Sequence, residues 1–72
     1  MSTWYFTFGS GQHNSGYCQP IQANTSEKAR KQMIKMYGYE WSIQYTEEQW
    51  NTMKNDKNIT WPLEKELDLI IV

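Results

Sequence analysis

The chain has 72 residues and a mass of 8.6 kDa, which predicts a single domain over residues 1–72 with a thin core, since such a chain buries only about 60% of its unfolded surface. One Cys excludes an internal disulfide, and one Cys with one His cannot supply the three or four ligands of a usual zinc site, so we expect no metal and no cofactor. With 7 basic and 8 acidic residues the formal charge is −1, which argues against nucleic acid as a partner.

Two alternating segments predict an N-terminal β-hairpin. In residues 4–8 the rings of Trp4, Phe6 and Phe8 share one face, and Tyr5 and Thr7 share the other. A second strand is predicted from residue 17 to residue 23. Pro20 removes a backbone donor there, which predicts an edge strand or a bulge.

A helix is predicted from Thr25 to Tyr37. Asn24-Thr25-Ser26-Glu27 resembles a capping box at its start, and Gly38 supplies the residue that helices favour after their last turn. The predicted apolar stripe consists of Ala29, Met33, Met36 and Tyr37. The basic run of Lys28, Arg30, Lys31 and Lys35 is interpreted as mainly a solvated face, with an anionic ligand or partner as the alternative.

A third strand is predicted over residues 40–45, with Trp41, Ile43 and Tyr45 facing one way and Ser42 and Gln44 the other. Thr46-Glu47-Glu48-Gln49 is a second capping box, which predicts a short helix over residues 47–55 with Trp50 on its apolar side. Residues 55–58 have the composition of a turn, and Trp61-Pro62 predicts an extended path. A last strand is predicted from the alternation of Leu67, Leu69 and Ile71.

These elements predict an α+β fold, in which a small antiparallel sheet is packed by one main helix and one short helix. The sheet comprises the N-terminal β-hairpin plus one or two further strands. Helix is expected on one face only. The other face would then expose a polar and partly aromatic surface to water or to a partner, made of Tyr5, Thr7, Gln22, Ser42 and Gln44.

The connection over residues 9–16 is the strongest candidate for a functional site. It is longer than the two to five residues of ordinary hairpin loops, and it holds three of the chain's four glycines. Glycine lets backbone amides approach an anion or a base closely. The candidate ligand-binding residues are Tyr5, Gly9, Ser10, Gly11, Gln12, His13, Asn14 and Tyr17. A flexible hairpin tip without a ligand is the alternative interpretation.

Catalytic chemistry has little support in the residue pattern. His13 and Cys18 are five residues apart, but no acidic residue is placed to orient the His as the base of a nucleophile. A small buried Cys and an exposed His explain the pair better. We therefore expect a protein that is not an enzyme, with a hydrolase using His13 or Cys18 as the weakest alternative.

Four segments resemble a family of small, mostly uncharacterised proteins encoded by phages and prophages of Gram-positive bacteria. They are the aromatic strand and loop of residues 4–12, Gly16-Tyr17-Cys18, Ala29-Arg30-Lys31-Gln32-Met33 and the segment from Trp41 to Trp50, so the resemblance covers most of the chain up to about Leu67. It carries no catalytic motif. What it implies is context, because small phage proteins often serve as accessory or host-takeover factors that bind and block.

The sequence therefore predicts a binder that sequesters a small nucleotide-derived ligand, such as a host defence signal, through the 9–16 loop and nearby aromatic rings. The alternative is a protein–protein inhibitor of a host protein. A cytoplasmic location is expected, because the N-terminus has no basic region followed by an apolar stretch and no apolar run approaches the roughly 18 residues of a membrane span. The apolar segment of residues 69–72 predicts a homodimer or higher homo-oligomer.

Overall fold

A computed structural model describes residues 1–12, 14–56 and 65–72 of the chain. Its elements are β1 (Ser2–Thr7), β2 (Cys18–Ala23), α1 (Ser26–Tyr37), β3 (Ile43–Thr46), α2 (Glu47–Lys54) and β4 (Ile70–Ile71). The strand order is β3-β1-β2-β4, with β1 antiparallel to both of its neighbours and β4 parallel to β2. The predicted α+β class is confirmed, and the parallel fourth strand makes the sheet a mixed one.

Helix α1 begins one residue later than predicted, because Thr25 is its N-cap. The Thr25 hydroxyl accepts a hydrogen bond from the amide of Lys28 at 3.2 Å. Since Lys28 occupies the third helical position, Glu27 cannot complete the capping box that the sequence indicated. The C-terminal prediction is confirmed, as Gly38 has a φ of 63° and donates its amide to the carbonyl of Ile34 at 2.8 Å.

One face of the sheet packs against α1 and forms the larger core. Its buried residues are Phe6, Phe8, Ile21, Ala23, Ala29 and Met33. The predicted stripe of α1 is confirmed, with Met36 and Tyr37 packed at the margin of this core. Aromatic rings pack edge to face here. The ring centroids of Phe6 and Trp41 are 5.2 Å apart, and those of Phe8 and Tyr37 are also 5.2 Å apart.

The opposite face of the sheet is covered by α2, so the predicted open face is wrong. Tyr5 pairs with Tyr45 in register across β1 and β3, and the Trp50 ring stacks on Tyr5 at 5.0 Å with an angle of 6°. Trp50 and Cys18 are the fully buried residues of this second cluster, and Met53 packs against them. Strand β1 therefore contributes side chains to a core on each of its faces.

The alternation predicted for the third strand is confirmed for Ile43 and Tyr45, which share one face while Gln44 lies on the other, but it is wrong for Trp41. Trp41 lies before β3 begins, packs against Phe6 on the α1 side and donates its indole N–H to the carbonyl of Gly38 at 3.0 Å. Tyr45 contacts Trp50 on the α2 side, at 5.7 Å between ring centres. Because the backbone of residues 38–42 is not extended strand, the period of two does not carry from Trp41 to Tyr45.

Pro20 does not place β2 at an edge, since β2 lies between β1 and β4. The bulge expectation fits better: between the Cys18–Glu66 bridge and the Ile21–Ile70 pair, two residues of β2 face three of the other segment. The buried side chain of Gln19 spans this irregularity, with Nε2 donating to the Asp68 carbonyl at 2.7 Å and to the Pro20 carbonyl at 3.0 Å.

The bulge changes which apolar residues of the last segment face inward. Leu67 and Ile70 pack against the core, whereas Leu69 and Ile71 are exposed, so the alternation predicted for this segment is wrong. Trp61-Pro62 and the second half of the predicted turn at residues 55–58 lie outside the described residues. Within the described ranges, no helix has the length and apolar character needed to cross a bilayer.

Candidate functional site

A cleft of about 460 Å³ opens between the hairpin loop, the start of β3 and α2. Ligand pockets in proteins usually have volumes of about 300–1,000 Å³. Four lining residues come from the end of β1 and the start of the loop (Thr7, Phe8, Gly9 and Ser10), four from its end and β2 (Ser15, Gly16, Tyr17 and Cys18), and three from beyond (Ser42, Ile43 and Trp50). The cleft thus coincides with the loop that the sequence singled out.

The loop folds as a series of hydrogen-bonded turns. The Gln12 amide donates to the carbonyl of Gly9 at 3.0 Å, and the Gln12 side-chain oxygen accepts from the Gly9 amide. Further along, the Ser15 amide donates to the Gln12 carbonyl at 3.1 Å. Gly11 and Gly16 have φ values of 84° and 91°, a region that other residues rarely adopt. The glycines therefore permit the turns that shape one wall of the cleft.

Three hydrogen-bond donors of residues that line the cleft make no hydrogen bond to a described residue. The amides of Ser10 and Gly16 donate to no acceptor among the described residues, and neither does the indole N–H of the buried Trp50. Hydroxyl groups of Ser15 and Ser42 add donors that also accept. An unmade bond to a buried donor costs about 1–3 kcal/mol, which applies to Trp50; the amides of Ser10 and Gly16 are accessible to water and can donate to acceptor atoms of a ligand.

Tyr17 forms an aromatic part of the mouth, with 41% of its surface exposed. The Lys65 ammonium lies over its ring at 5.6 Å from the centroid, a cation–π distance. Pairing with β2 holds this lysine in place, because the Cys18 amide donates to the Lys65 carbonyl and the Leu67 amide to the Cys18 carbonyl, both at 2.9 Å. A cation and an exposed ring are thus adjacent at the mouth.

Cys18 lines the cleft but is not activated. Burial and, to a smaller extent, the nearby Glu66 carboxylate raise the pKa of its thiol to about 12, and Lys54 opposes this only in part. At neutral pH the group is a neutral thiol, whereas the thiolate is the nucleophilic form. The structure therefore shows Cys18 as a small buried residue.

The predicted site residues divide into three groups. Gly9, Ser10 and Tyr17 line the cleft. Tyr5 instead stacks on Trp50 in the cluster between the sheet and α2. The remaining described ones shape the loop through backbone or internal contacts and do not line the cleft, namely Gly11, Gln12 and Asn14. His13 lies outside the described residues, and a binding role for each of the eight stays a prediction.

Several cleft residues escaped the sequence analysis. The sequence pattern places Trp50 in the core only. In the structure the same buried ring also forms part of the cleft wall. Ser42 reaches the cleft because its amide extends the β1–β3 pairing by donating to the Thr7 carbonyl at 2.8 Å. Lys65 lies next to the cleft through the parallel pairing with β2, which no local pattern indicates. The surplus of aromatic residues named Tyr17, which lines the cleft, and Tyr5, which does not.

In the part of the chain that the structure describes, no three His, Cys, Asp or Glu side chains lie close enough together to hold a metal ion. No protein family model, curated protein or solved structure matches this chain. Its function is therefore argued from the geometry of the cleft.

Proposed function

We propose that the protein binds and sequesters a small nucleotide-derived ligand in the cleft between the hairpin loop and α2. The observation that supports this most is the combination of unpaired donors with aromatic rings in one pocket of ligand size. A nucleobase offers acceptor atoms on its edge and a π face for stacking, and stacking on an aromatic side chain contributes about 1–3 kcal/mol per base. Tyr17, at the mouth, offers an exposed ring for such a contact.

Sequestration is favoured over catalysis because the described cleft residues include no activated group. The pKa of the Cys18 thiol is about 12, which leaves no thiolate at neutral pH. The Glu66 carboxylate, whose charge acts on Cys18, forms an ion pair with Lys54 at 3.7 Å. A ligand held by donors and rings would leave the cleft chemically unchanged.

The setting that we propose is the cytoplasm of a host bacterium, where a phage-encoded accessory protein would remove a defence signal. In the same proposal the protein acts as a homodimer or higher homo-oligomer. The exposed apolar side chains beside β4 support this, since Leu69, Ile71 and Val72 keep 44–67% of their surface accessible. An edge strand with apolar neighbours favours pairing with another chain.

A protein–protein inhibitor of a host protein is the second candidate. Two exposed side chains at the cleft favour it, because Tyr17 and Ile43 keep 41% and 45% of their surface accessible. Exposed aromatic and aliphatic side chains beside a concavity are typical anchors of protein interfaces. The same cleft would then accept a side chain of the host protein.

Ligand release separates the two candidates. Protein purified from cells that make candidate nucleotide signals is heat-denatured, and the supernatant is analysed by mass spectrometry. We expect a nucleotide in near-stoichiometric amount, released unchanged. Consistent absence of any released or titratable nucleotide, together with co-purification of a host protein, would contradict sequestration and favour the inhibitor. Recovery of a chemically altered ligand after long incubation would instead indicate an enzyme.

A variant that fills the cleft tests whether the ligand binds there. Ser42→Phe places a ring in the mouth, and Thr52→Phe places the same ring on an exposed position of α2 that does not line the cleft. We expect the first variant to lose the ligand and the second to retain it, with both folded by circular dichroism. Equal retention by both would place the ligand elsewhere on the molecule.

A further inference from the structure

We propose that Lys65 binds an anionic group of the ligand, so that the cleft selects nucleoside phosphates over nucleosides. This inference rests on the proposed function and names the charge of the ligand. Lys65 lies outside the loop and does not itself line the cleft, but the parallel pairing of residues 65–67 with Cys18 brings it beside Tyr17, which does. Its ammonium lies over the ring of Tyr17 at 5.6 Å from the centroid.

The backbone that carries this ammonium is anchored on its C-terminal side. The Cys18 amide donates to the Lys65 carbonyl and the Leu67 amide to the Cys18 carbonyl, both at 2.9 Å. The Tyr17 amide in turn donates to the Asn14 carbonyl at 3.0 Å, which joins the backbone of Tyr17 to the last turn of the loop. The backbones that carry the ring and the lysine are thus held beside each other, which reduces the freedom that Lys65 loses when it binds an anion.

Lys65 also has a free charge. Lys54 pairs with Glu66 at 3.7 Å, and Lys31 pairs with Glu27 at 3.8 Å. No carboxylate lies within ion-pair distance of Lys65 among the described residues. With Lys54 paired to Glu66, the Lys65 ammonium beside Tyr17 is a cation that has no ion-pair partner among the described residues. A lysine in such a place is a usual ligand of phosphate, acting as a point charge.

Backbone donors beside the lysine complete the anion site. Ser10 and Gly16 border the cleft with amides that make no hydrogen bond to a described residue. Free backbone amides that border a concave site can donate to the oxygen atoms of an anion. The wall near Cys18 is less suited to an anion, because the Glu66 carboxylate acts there. The phosphate would therefore lie on the Lys65 side of the mouth, and the base would stack on the exposed ring of Tyr17.

The test compares nucleosides with their 5′-monophosphates in titrations followed by calorimetry. The proteins are the unmodified chain, Lys65→Gln, Lys65→Arg and the control Lys35→Gln, which removes an exposed lysine of α1 that lines a separate groove. We expect the unmodified chain to bind at least one monophosphate about tenfold to a hundredfold tighter than its nucleoside, as for a hydrogen bond to a charged group. Lys65→Gln should abolish that ratio and leave nucleoside affinity unchanged, Lys65→Arg should restore it in part, and Lys35→Gln should have no effect.

Two outcomes overturn the inference alone. Equal affinity of the unmodified chain for nucleosides and their monophosphates would show that no anion is recognised. An equal loss of both affinities in Lys65→Gln, with the fold intact by circular dichroism, would show that Lys65 only supports the shape of the cleft. Absence of binding by every nucleoside and nucleotide would overturn the proposed function as well.

Discussion

Cys18 is buried where β2 begins, and its environment makes its ionisation depend on folding. The pKa of the thiol is raised from 9.0 to about 12, first by burial and then by Glu66. Between these values the unfolded chain has released the proton and the folded chain retains it, so stability falls as pH rises. Burial also raises the pKa of Tyr5, Tyr37 and Tyr45, which adds to the loss at high pH.

We therefore expect the urea midpoint to be constant up to about pH 9 and to decrease between pH 9 and pH 12. Cys18→Ala should flatten the first part of this decrease, since the tyrosines titrate above 10.0. The thiol should also resist a thiol-specific disulfide reagent at pH 8 and react once the chain is denatured. Rapid reaction of the native thiol would contradict the burial and revive the nucleophile hypothesis.

Gly16 and Gly11 permit a comparison of strain at two positions of one loop. Both have φ values in the left-handed region, and a Cβ at either would meet no atom within 4 Å. Alanine at either position should therefore destabilise the fold by about 1–2 kcal/mol through backbone strain, as measured by urea unfolding. Gly16→Ala should in addition weaken ligand binding, because only Gly16 lines the cleft. Equal effects of the two substitutions on binding would contradict this assignment of the cleft wall.

At the scale of elements, Thr46 joins β3 to α2. Its hydroxyl accepts from the Gln49 amide at 3.0 Å, and the Gln49 side chain accepts from the Thr46 amide at 2.9 Å. Thr46→Ala should cost about 1 kcal/mol of stability and weaken ligand binding, since α2 carries Trp50. The matched control is Thr25→Ala, which removes the corresponding bond of α1 and should leave ligand affinity unchanged. Thermal unfolding and calorimetric titration measure the two effects.

Local sequence patterns predicted the helix ends that depend on interactions between residues close together in the chain. The capping residues of α2 and the glycine after α1 locate these helix ends, because they satisfy backbone groups within four residues of the chain. Trp41 was misplaced because its packing on Phe6 depends on where β3 begins. The bulge opposite Gln19 and Pro20 likewise depends on residues 66–70, which lie far along the chain.

The candidate site was predictable only in its loop. Glycine density identified residues 9–16, and the turns that these residues form are local. Lys65 and Cys18 are 47 positions apart, so their pairing is decided by the topology of the whole sheet and not by any window of sequence. Trp50 looked like an ordinary core residue, because the polarity of its N–H becomes informative only when its surroundings are known.

On the scale of the whole molecule, the outer edge of the sheet at β4 is the feature that bears on assembly. Ile71 keeps 67% of its surface accessible beside the pairing edge. We expect the protein to sediment as a homodimer and Ile71→Lys to sediment as a monomer, because a charge on an edge strand opposes pairing. Tyr39→Lys, at a position with 77% exposure outside the sheet, is the control and should stay dimeric. A monomeric unmodified chain would exclude this edge as an interface.

The sharing of β1 between two cores limits how its sequence can change. Trp4 and Phe6 belong to the α1 side, and Tyr5 belongs to the α2 side. Inserting one residue within Ser2–Thr7 would turn every following side chain to the opposite helix, so that both cores would receive the wrong residues at once. Inserting two would restore the facing. Length variation in this strand is therefore tolerated in steps of two, whereas a strand with one solvated face can absorb a single insertion by disturbing only one core.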